Sequence, residues 1–141
     1  MAEWWQPYLD AWNAHDGRAV AEWMAEDASY EDIALGEVHR GRADIAGWID
    51  GMAAEFSSDF HFETVSAQQD GDAYCAEWVM SGTHDGASAA LPATGKRYAI
   101  RGVSVGVLEG GKIKRNTDYW DMAGFLGQIG LFPTPEAASA G

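Results

Sequence analysis

The sequence predicts an α+β fold: a cone-shaped, curved antiparallel β-sheet with N-terminal helices packed on its concave face. Three observations predict it. Apolar residues recur at helical spacing through the first 56 positions, the pattern changes to period two from Asp59 onward, and Gly-rich turns separate the later strands. Helices first and strands after imply that the helices cover one face of one sheet. The concavity left between them is the expected binding pocket.

Each element has its own signal. Trp4, Trp5, Tyr8, Leu9 and Trp12 recur at spacings of three and four, which puts an aromatic stripe on one face of a first helix. Asn13, His15, Asp16 and Gly17 break it, and Asp16 caps a second helix through Ala19, Val20, Trp23 and Met24. Ala28 to Ile33 reads as a brief strand, and a turn-prone stretch surrounds Gly36. Ile45, Trp48, Ile49, Met52 and Phe56 mark a third helix over 41–56. Strands follow near 59–66, 73–82, 97–108 and 112–120, and the turns QQDGD and EGG suit the hairpins of an antiparallel meander. Asp121 stands before Met122, Phe125, Leu126 and Ile129, where it caps a short last helix. The expected domain spans 1–131, and residues 132–141, with two prolines among small residues, form a flexible tail.

Composition narrows the function. The 141 residues are 47% hydrophobic, with seven Trp, five Tyr and five Phe, enough to fold around a core without disulfides or metals. Asp plus Glu exceed Lys plus Arg by 22 to 9, and the net charge of −13 repels phosphate backbones and anionic lipid. Nucleic acid and membrane partners are therefore not expected. No apolar run approaches a bilayer span, and the opening MAEWWQPYLD lacks the features of a secretory signal, so the expected location is cytoplasmic. Cys75, the lone cysteine, sits in the strand-like AYCAEWVM, where a buried inert thiol is expected.

The chemistry-bearing residues cluster on two strands. Asn116, Asp118 and Trp120 share one face of the last strand, and Thr117, Tyr119 and Asp121 the other. A carboxylate between an amide and an aromatic on a concave face suits a general base, because desolvation raises its pKa toward neutrality. The competing reading puts Asp118 in solvent on the outer face. Tyr30 and Asp32 share a face of the short early strand, and two carboxylates in one apolar site would titrate apart as an acid and a base. Asp32 opening an Asx-type turn before Gly36 is the alternative. Tyr8 and Trp12, one helical turn apart, are either core or pocket wall, and a pocket-facing phenol would donate to a developing enolate oxygen. Trp48 and Trp120 are further expected ligand contacts. His84, in SGTHDG, is either a hairpin residue or a pocket contact.

No metal site is expected. His15, His39, His61 and His84 are scattered, and His61 with Glu63 makes only two ligands. No phosphate loop, dinucleotide fingerprint or nucleophile elbow occurs, so no cofactor is expected.

With WNAHD, EDASYED, HRGRADIAGWI, GTHDG, LPATGK and EGGKIKRNTDYWDMAGFLGQIG in this order, the chain resembles the SnoaL-like polyketide cyclases of the nuclear transport factor two-like superfamily over roughly Trp5 to Leu131. The resemblance implies an α+β barrel, usually a homodimer through the outer sheet face, with a deep pocket for a hydrophobic small molecule. Val103, Val105 and Val107, opposite Ser104 and Gly106, are consistent with such an outer face. It also implies that Asp118 acts as acid/base in a cofactor-free aldol ring closure. Where those cyclases carry a pocket histidine, this chain has Ser104. The chain is similar to ketosteroid isomerases at QPYLDAWN and YEDIALG, which puts their oxyanion tyrosine on Tyr8 and their base on Asp32. It resembles limonene epoxide hydrolases at AEDASYEDIAL and TDYWD, but AEWVM at 76–80 lacks their Arg-x-Asp.

The expected activity is therefore cyclase or isomerase chemistry on a hydrophobic polyketide-like or steroid-like molecule. Asp118 and Asp32 would be catalytic, with Tyr8, Trp12, Tyr30, Trp48, His84, Asn116 and Trp120 contacting substrate. The alternatives are a binding protein of the same fold without chemistry, or an epoxide-hydrolase-like enzyme.

Overall fold

In the computed structural model, which describes residues 2–88 and 91–132, a single six-stranded sheet curls around an aromatic core. Helix α1 (Trp5–Asn13) buries its predicted stripe of Trp5, Tyr8, Leu9 and Trp12. It is held to the sheet beyond its apolar face. Asn13 uses its side-chain amide as a strand would, donating Nδ2 to the Phe62 carbonyl at 3.0 Å and accepting the Phe62 N–H at 2.7 Å. Trp5 Nε1 donates to Thr64 Oγ1 at 3.0 Å, so α1 lies against the strand that ends the sheet.

Helix α2 (Gly17–Ala21) begins where Asp16 accepts the Ala19 N–H at 3.1 Å. It is shorter than predicted. Met24 belongs instead to β1 (Met24–Asp32), which alternates from Ala28 onward with Ala28, Tyr30 and Asp32 buried. The stretch after Gly36 forms a strand the sequence analysis did not foresee, β2 (Glu37–Arg40), too short and too polar to show a period of its own. Helix α3 (Arg42–Glu55) buries Ile45 and Ile49. Strands β3 (His61–Asp70), β4 (Ala73–Thr83), β5 (Arg97–Glu109) and β6 (Lys112–Trp120) form the meander, with β3 four residues longer at its end than expected. Gly110 and Gly111, at φ 60° and 78°, make the two-residue β5–β6 turn, which requires positive φ at both centres. Asp121 caps α4 (Met122–Gln128) by accepting the Gly124 N–H at 2.8 Å.

The strand order is β2-β1-β6-β5-β4-β3. All neighbours are antiparallel except β1 and β6, which run parallel and correct the wholly antiparallel expectation. The physical reason is topological: the β1–β2 hairpin docks on the last strand, far from it in sequence, and not on β3. That pairing brings Tyr30 and Asp32 beside Asn116 and Asp118. The tail expected from 132 onward lies outside the described residues, apart from Phe132.

No described helix is long and apolar enough to cross a membrane. Cys75, expected to be buried, is exposed, because the inward positions of β4 are Tyr74, Ala76, Trp78 and Met80.

Candidate active site

Strands β1, β6 and β5 present their inward side chains in register. Asp32 lies opposite Asp118, Tyr30 opposite Asn116, and Ser104 opposite Asp118 from the other side. The buried, polar centre of the cone is Asp118, 7% exposed. Tyr30 donates its phenolic hydrogen to Oδ2 of Asp118, while Oδ1 accepts from Ser104 Oγ at 2.6 Å and from Asn116 Nδ2 at 2.8 Å. Behind these donors stands a further layer. Trp78 Nε1 donates to Ser104 Oγ at 2.9 Å, and Tyr74 Oη donates to Asn116 Oδ1 at 2.5 Å.

Burial dominates the electrostatics of this group. Desolvation pushes the Asp118 carboxyl up to about 6, against the donors Ser104, Tyr30 and Asn116, which favour its ionised form; the nearby Asp32 adds to the rise. Tyr30 is driven well above the ordinary phenol range by burial and then by the Asp118 charge. Tyr8 is raised chiefly by burial, in contact with Trp12 and Tyr30. Both phenols therefore stay neutral donors at any working pH, next to a carboxyl that can either take or give a proton.

Beside Asp118 lies a cavity of about 10 Å³. Trp5, Tyr8, Leu9 and Trp12 of α1 roof it, Phe62 and Trp78 wall it, and Tyr30, Ser104 and Asp118 form the floor. That is about the room one water molecule needs. The open concavity expected from sequence is thus nearly filled, because the aromatic stripe of α1 projects into it.

Of the predicted contacts, Tyr8, Trp12 and Tyr30 line this cavity together with Asp118. Asn116 stands behind the carboxylate, fully buried. Asp32 is also buried but lies outside the cavity lining, where it forms the turn before Gly36. It closes a turn by accepting the Leu35 N–H at 2.9 Å, and it accepts Trp120 Nε1 at 3.0 Å. Burial raises its carboxyl above the ordinary range. Trp120 is partly buried, bonded to Asp32 and set edge-on to Phe125 with centroids 5.9 Å apart. Trp48 is not a wall of the cavity either. It stands behind Trp12 and Tyr30, at 5.9 Å and 5.2 Å, with His39 stacked on it at 4.5 Å. Asp32, buried, and Trp48 and Trp120, half-buried, thus lie outside the cavity lining.

His84, read from sequence as a hairpin residue or a pocket contact, lies outside the cavity lining. Its Nδ1 is 3.0 Å from Thr94 Oγ1, its backbone bonds Lys96, and its ring packs on Phe56 and Phe125, so the side chain organises the β4–β5 connection. Sequence reasoning passed over Trp78 and Tyr74 as members of the site, and met Ser104 only as the residue standing where the related cyclases carry a pocket histidine. The expected burial of Cys75 would have turned Tyr74 and Trp78 outward; the missing signal was the glycine pattern facing them on β5. Among the described residues, no three His, Cys, Asp or Glu side chains converge as metal ligands would.

Comparison with known proteins adds a family. The pattern defining the SnoaL-like domain matches residues 5–116. Aklanonic acid methyl ester cyclase DnrD of Streptomyces peucetius is 30% identical over 98 residues, 69% of this chain and 68% of that protein. Nogalonic acid methyl ester cyclase of Streptomyces nogalater is 31% identical over 88 residues, 62% of this chain and 63% of its own length. A hypothetical protein with a ketosteroid isomerase-like fold from Catenulispora acidiphila DSM 44928, solved in complex with trimethylamine, superposes with a TM-score of 0.81 at 26% identity, covering 93% of this chain and 95% of that one.

Proposed function

The chain belongs to the SnoaL-like domain family, and from that premise we propose that it is a cofactor-independent cyclase or isomerase acting on a hydrophobic, polyketide-like carbonyl compound. One observation carries the reading: a carboxyl buried beneath aromatic rings, raised to about 6 and held by three neutral donors. Asp118 removes a proton alpha to a carbonyl. The electrons move onto the carbonyl oxygen, and Tyr8 or Tyr30 donates a hydrogen bond to the enolate so formed. In ring closure the enolate carbon attacks a second carbonyl of the same molecule, and protonated Asp118 returns its proton to the new alkoxide. In isomerisation it returns the proton to a different carbon. A single acid/base of this kind contributes roughly 10² to 10⁴ in rate, and the remainder comes from orientation and enolate stabilisation.

A cavity of about 10 Å³ does not admit a polycyclic substrate. Entry therefore requires the aromatic side chains of α1 to part, with Trp48, Trp120 and Asp32 as the groups a larger molecule meets next. The reading also places the protein in the cytoplasm, as a homodimer through the outer sheet face; sedimentation of twice the chain mass tests the dimer.

The test of function is chromatographic. Incubation with a panel of aromatic β-keto methyl esters that carry a second carbonyl should yield a cyclised isomer with the wild-type protein and none with folded Asp118→Asn. Equal product from the variant would refute the assignment.

A second reading is favoured by the chemistry of the cavity lining, and it too requires the α1 rings to part, because the space holds about one water molecule. Six aromatic side chains and one carboxylate around a small space suit an alkylammonium cation held by cation–π attraction, and a relative of similar fold was solved with trimethylamine. Calorimetric titration with trimethylamine decides it: binding lost in Asp118→Asn, with no turnover of any ketone, would make this a binding protein.

A further inference from the structure

Two side chains of β4 cross over β5 to reach the site, and glycines let them. Trp78 lies opposite Gly102 and Tyr74 opposite Gly106 in the β4–β5 ladder. A Cβ on Gly102 would stand 2.3 Å from the Trp78 ring, and one on Gly106 would stand 2.5 Å from Tyr74 Oη and 2.1 Å from the Arg115 carbonyl. Any other residue would push those rings off the sheet. With glycines there, the rings lie over β5 and end on Ser104 and Asn116, the two donors to Oδ1 of Asp118.

We propose that Ser104 and Asn116 are positioning residues that together saturate Oδ1 of Asp118 and leave Oδ2, shared with Tyr30, as the oxygen that exchanges protons with substrate. This rests on the acid/base reading above. An ionised carboxylate offers about two acceptor directions on each oxygen. Oδ1 spends both on Ser104 and Asn116, whereas Oδ2 has one donor, Tyr30, and one direction left. The second layer fixes the sense of each bond. Trp78 N–H can only donate, so the Ser104 hydroxyl, filled on its acceptor side, turns its own hydrogen to Asp118. Tyr74 donates to the Asn116 oxygen, which turns the amide nitrogen to Asp118. The carboxylate cannot rotate without breaking two buried bonds, so its free edge keeps one direction.

The experiment is a ¹³C NMR titration of the Asp side-chain carboxyls, with the Asp118 signal assigned by its loss in Asp118→Asn, run beside the pH profile of turnover. Removing one donor to the ionised form weakens the opposition to burial, although Tyr30 and the other donor remain. Ser104→Ala and Asn116→Leu should therefore titrate at higher pH than the wild-type value near 6. Turnover in these variants should show its acid limb moved the same way and kcat down about tenfold at unchanged KM. Ser104→Thr, which keeps a hydroxyl, should restore both readouts. An Asp118 midpoint that stays put in folded Ser104→Ala would overturn the proposal. Absence of turnover in the wild type would count against the catalytic reading alone, because the titration needs no substrate.

Discussion

Tyr30 and Asp118, 88 residues apart, share a buried hydrogen bond because β1 and β6 are parallel neighbours in the sheet. The bond joins the one cavity-lining carboxyl to a phenol that burial keeps neutral, and the central chemical claim follows from it.

Asp118 should titrate near pH 6, well above the ordinary carboxylic range. The ¹³C shift of its carboxyl against pH reads this directly. A midpoint near 4 would show that water reaches the group and that the cone does not desolvate it.

Stability should carry the same signature with a definite sign. A carboxyl that holds its proton more tightly when folded stabilises the protein fully below its unfolded value of 3.8, and that contribution is lost as pH rises through about 6. Asp118→Asn removes the loss. Relative to wild type, the variant should gain about 2 kcal/mol between pH 4 and pH 7, at ~1.4 kcal/mol per pKa unit. Urea unfolding of both proteins across that window measures it. Parallel curves for the two proteins would contradict the buried-carboxyl account.

Tyr8→Phe should lower kcat by about 10² with little change in KM, the effect expected when one donor to an oxyanion is removed. Steady-state kinetics on any substrate found for the protein provide the check. A change confined to KM would assign Tyr8 to packing alone.

Much of the frame was legible because its signals are local. Asp16 and Asp121 stand one turn before apolar helical faces, and both accept the N–H three residues on. Period two grouped Asn116, Asp118 and Trp120 on one face of the last strand, but it left open whether that face turned inward. What could not be read was long-range. No local pattern shows that β1 lies parallel to β6, and the Tyr30–Asp118 bond depends on that. Strand β2 has four residues and only Val38 as a strong strand former, so Glu37–Arg40 looked like loop. The cavity was overestimated because its volume is set by how the α1 rings interdigitate with Phe62 and Trp78, a packing property with no period in sequence.

Gly102→Ala should destabilise the fold by about 1–3 kcal/mol, the usual effect of forcing a methyl into a filled space. The added Cβ would lie 2.3 Å from the Trp78 ring, so the ring must move and its N–H must leave Ser104. Chemical unfolding gives the stability change, and a shift in tryptophan emission reports the displaced indole. Wild-type stability with unchanged emission would show that the ring is not confined there.

Asn13→Ala should loosen α1, since it removes both bonds to the Phe62 backbone at the edge of the sheet. Hydrogen exchange of the α1 amides should accelerate more than that of β4 and β5, because opening is local. Uniform acceleration across the chain would mean that α1 does not open separately from the sheet.

The most direct test of the whole account is the exchange of the α-hydrogen of a hydrophobic β-keto ester in D₂O, followed by NMR as a function of pH for wild type and Asp118→Asn. Proton removal by Asp118 predicts catalysed exchange that rises with pH through about 6 and is absent from the folded variant. Exchange that persists in the variant, or that shows no inflection near that pH, would contradict it.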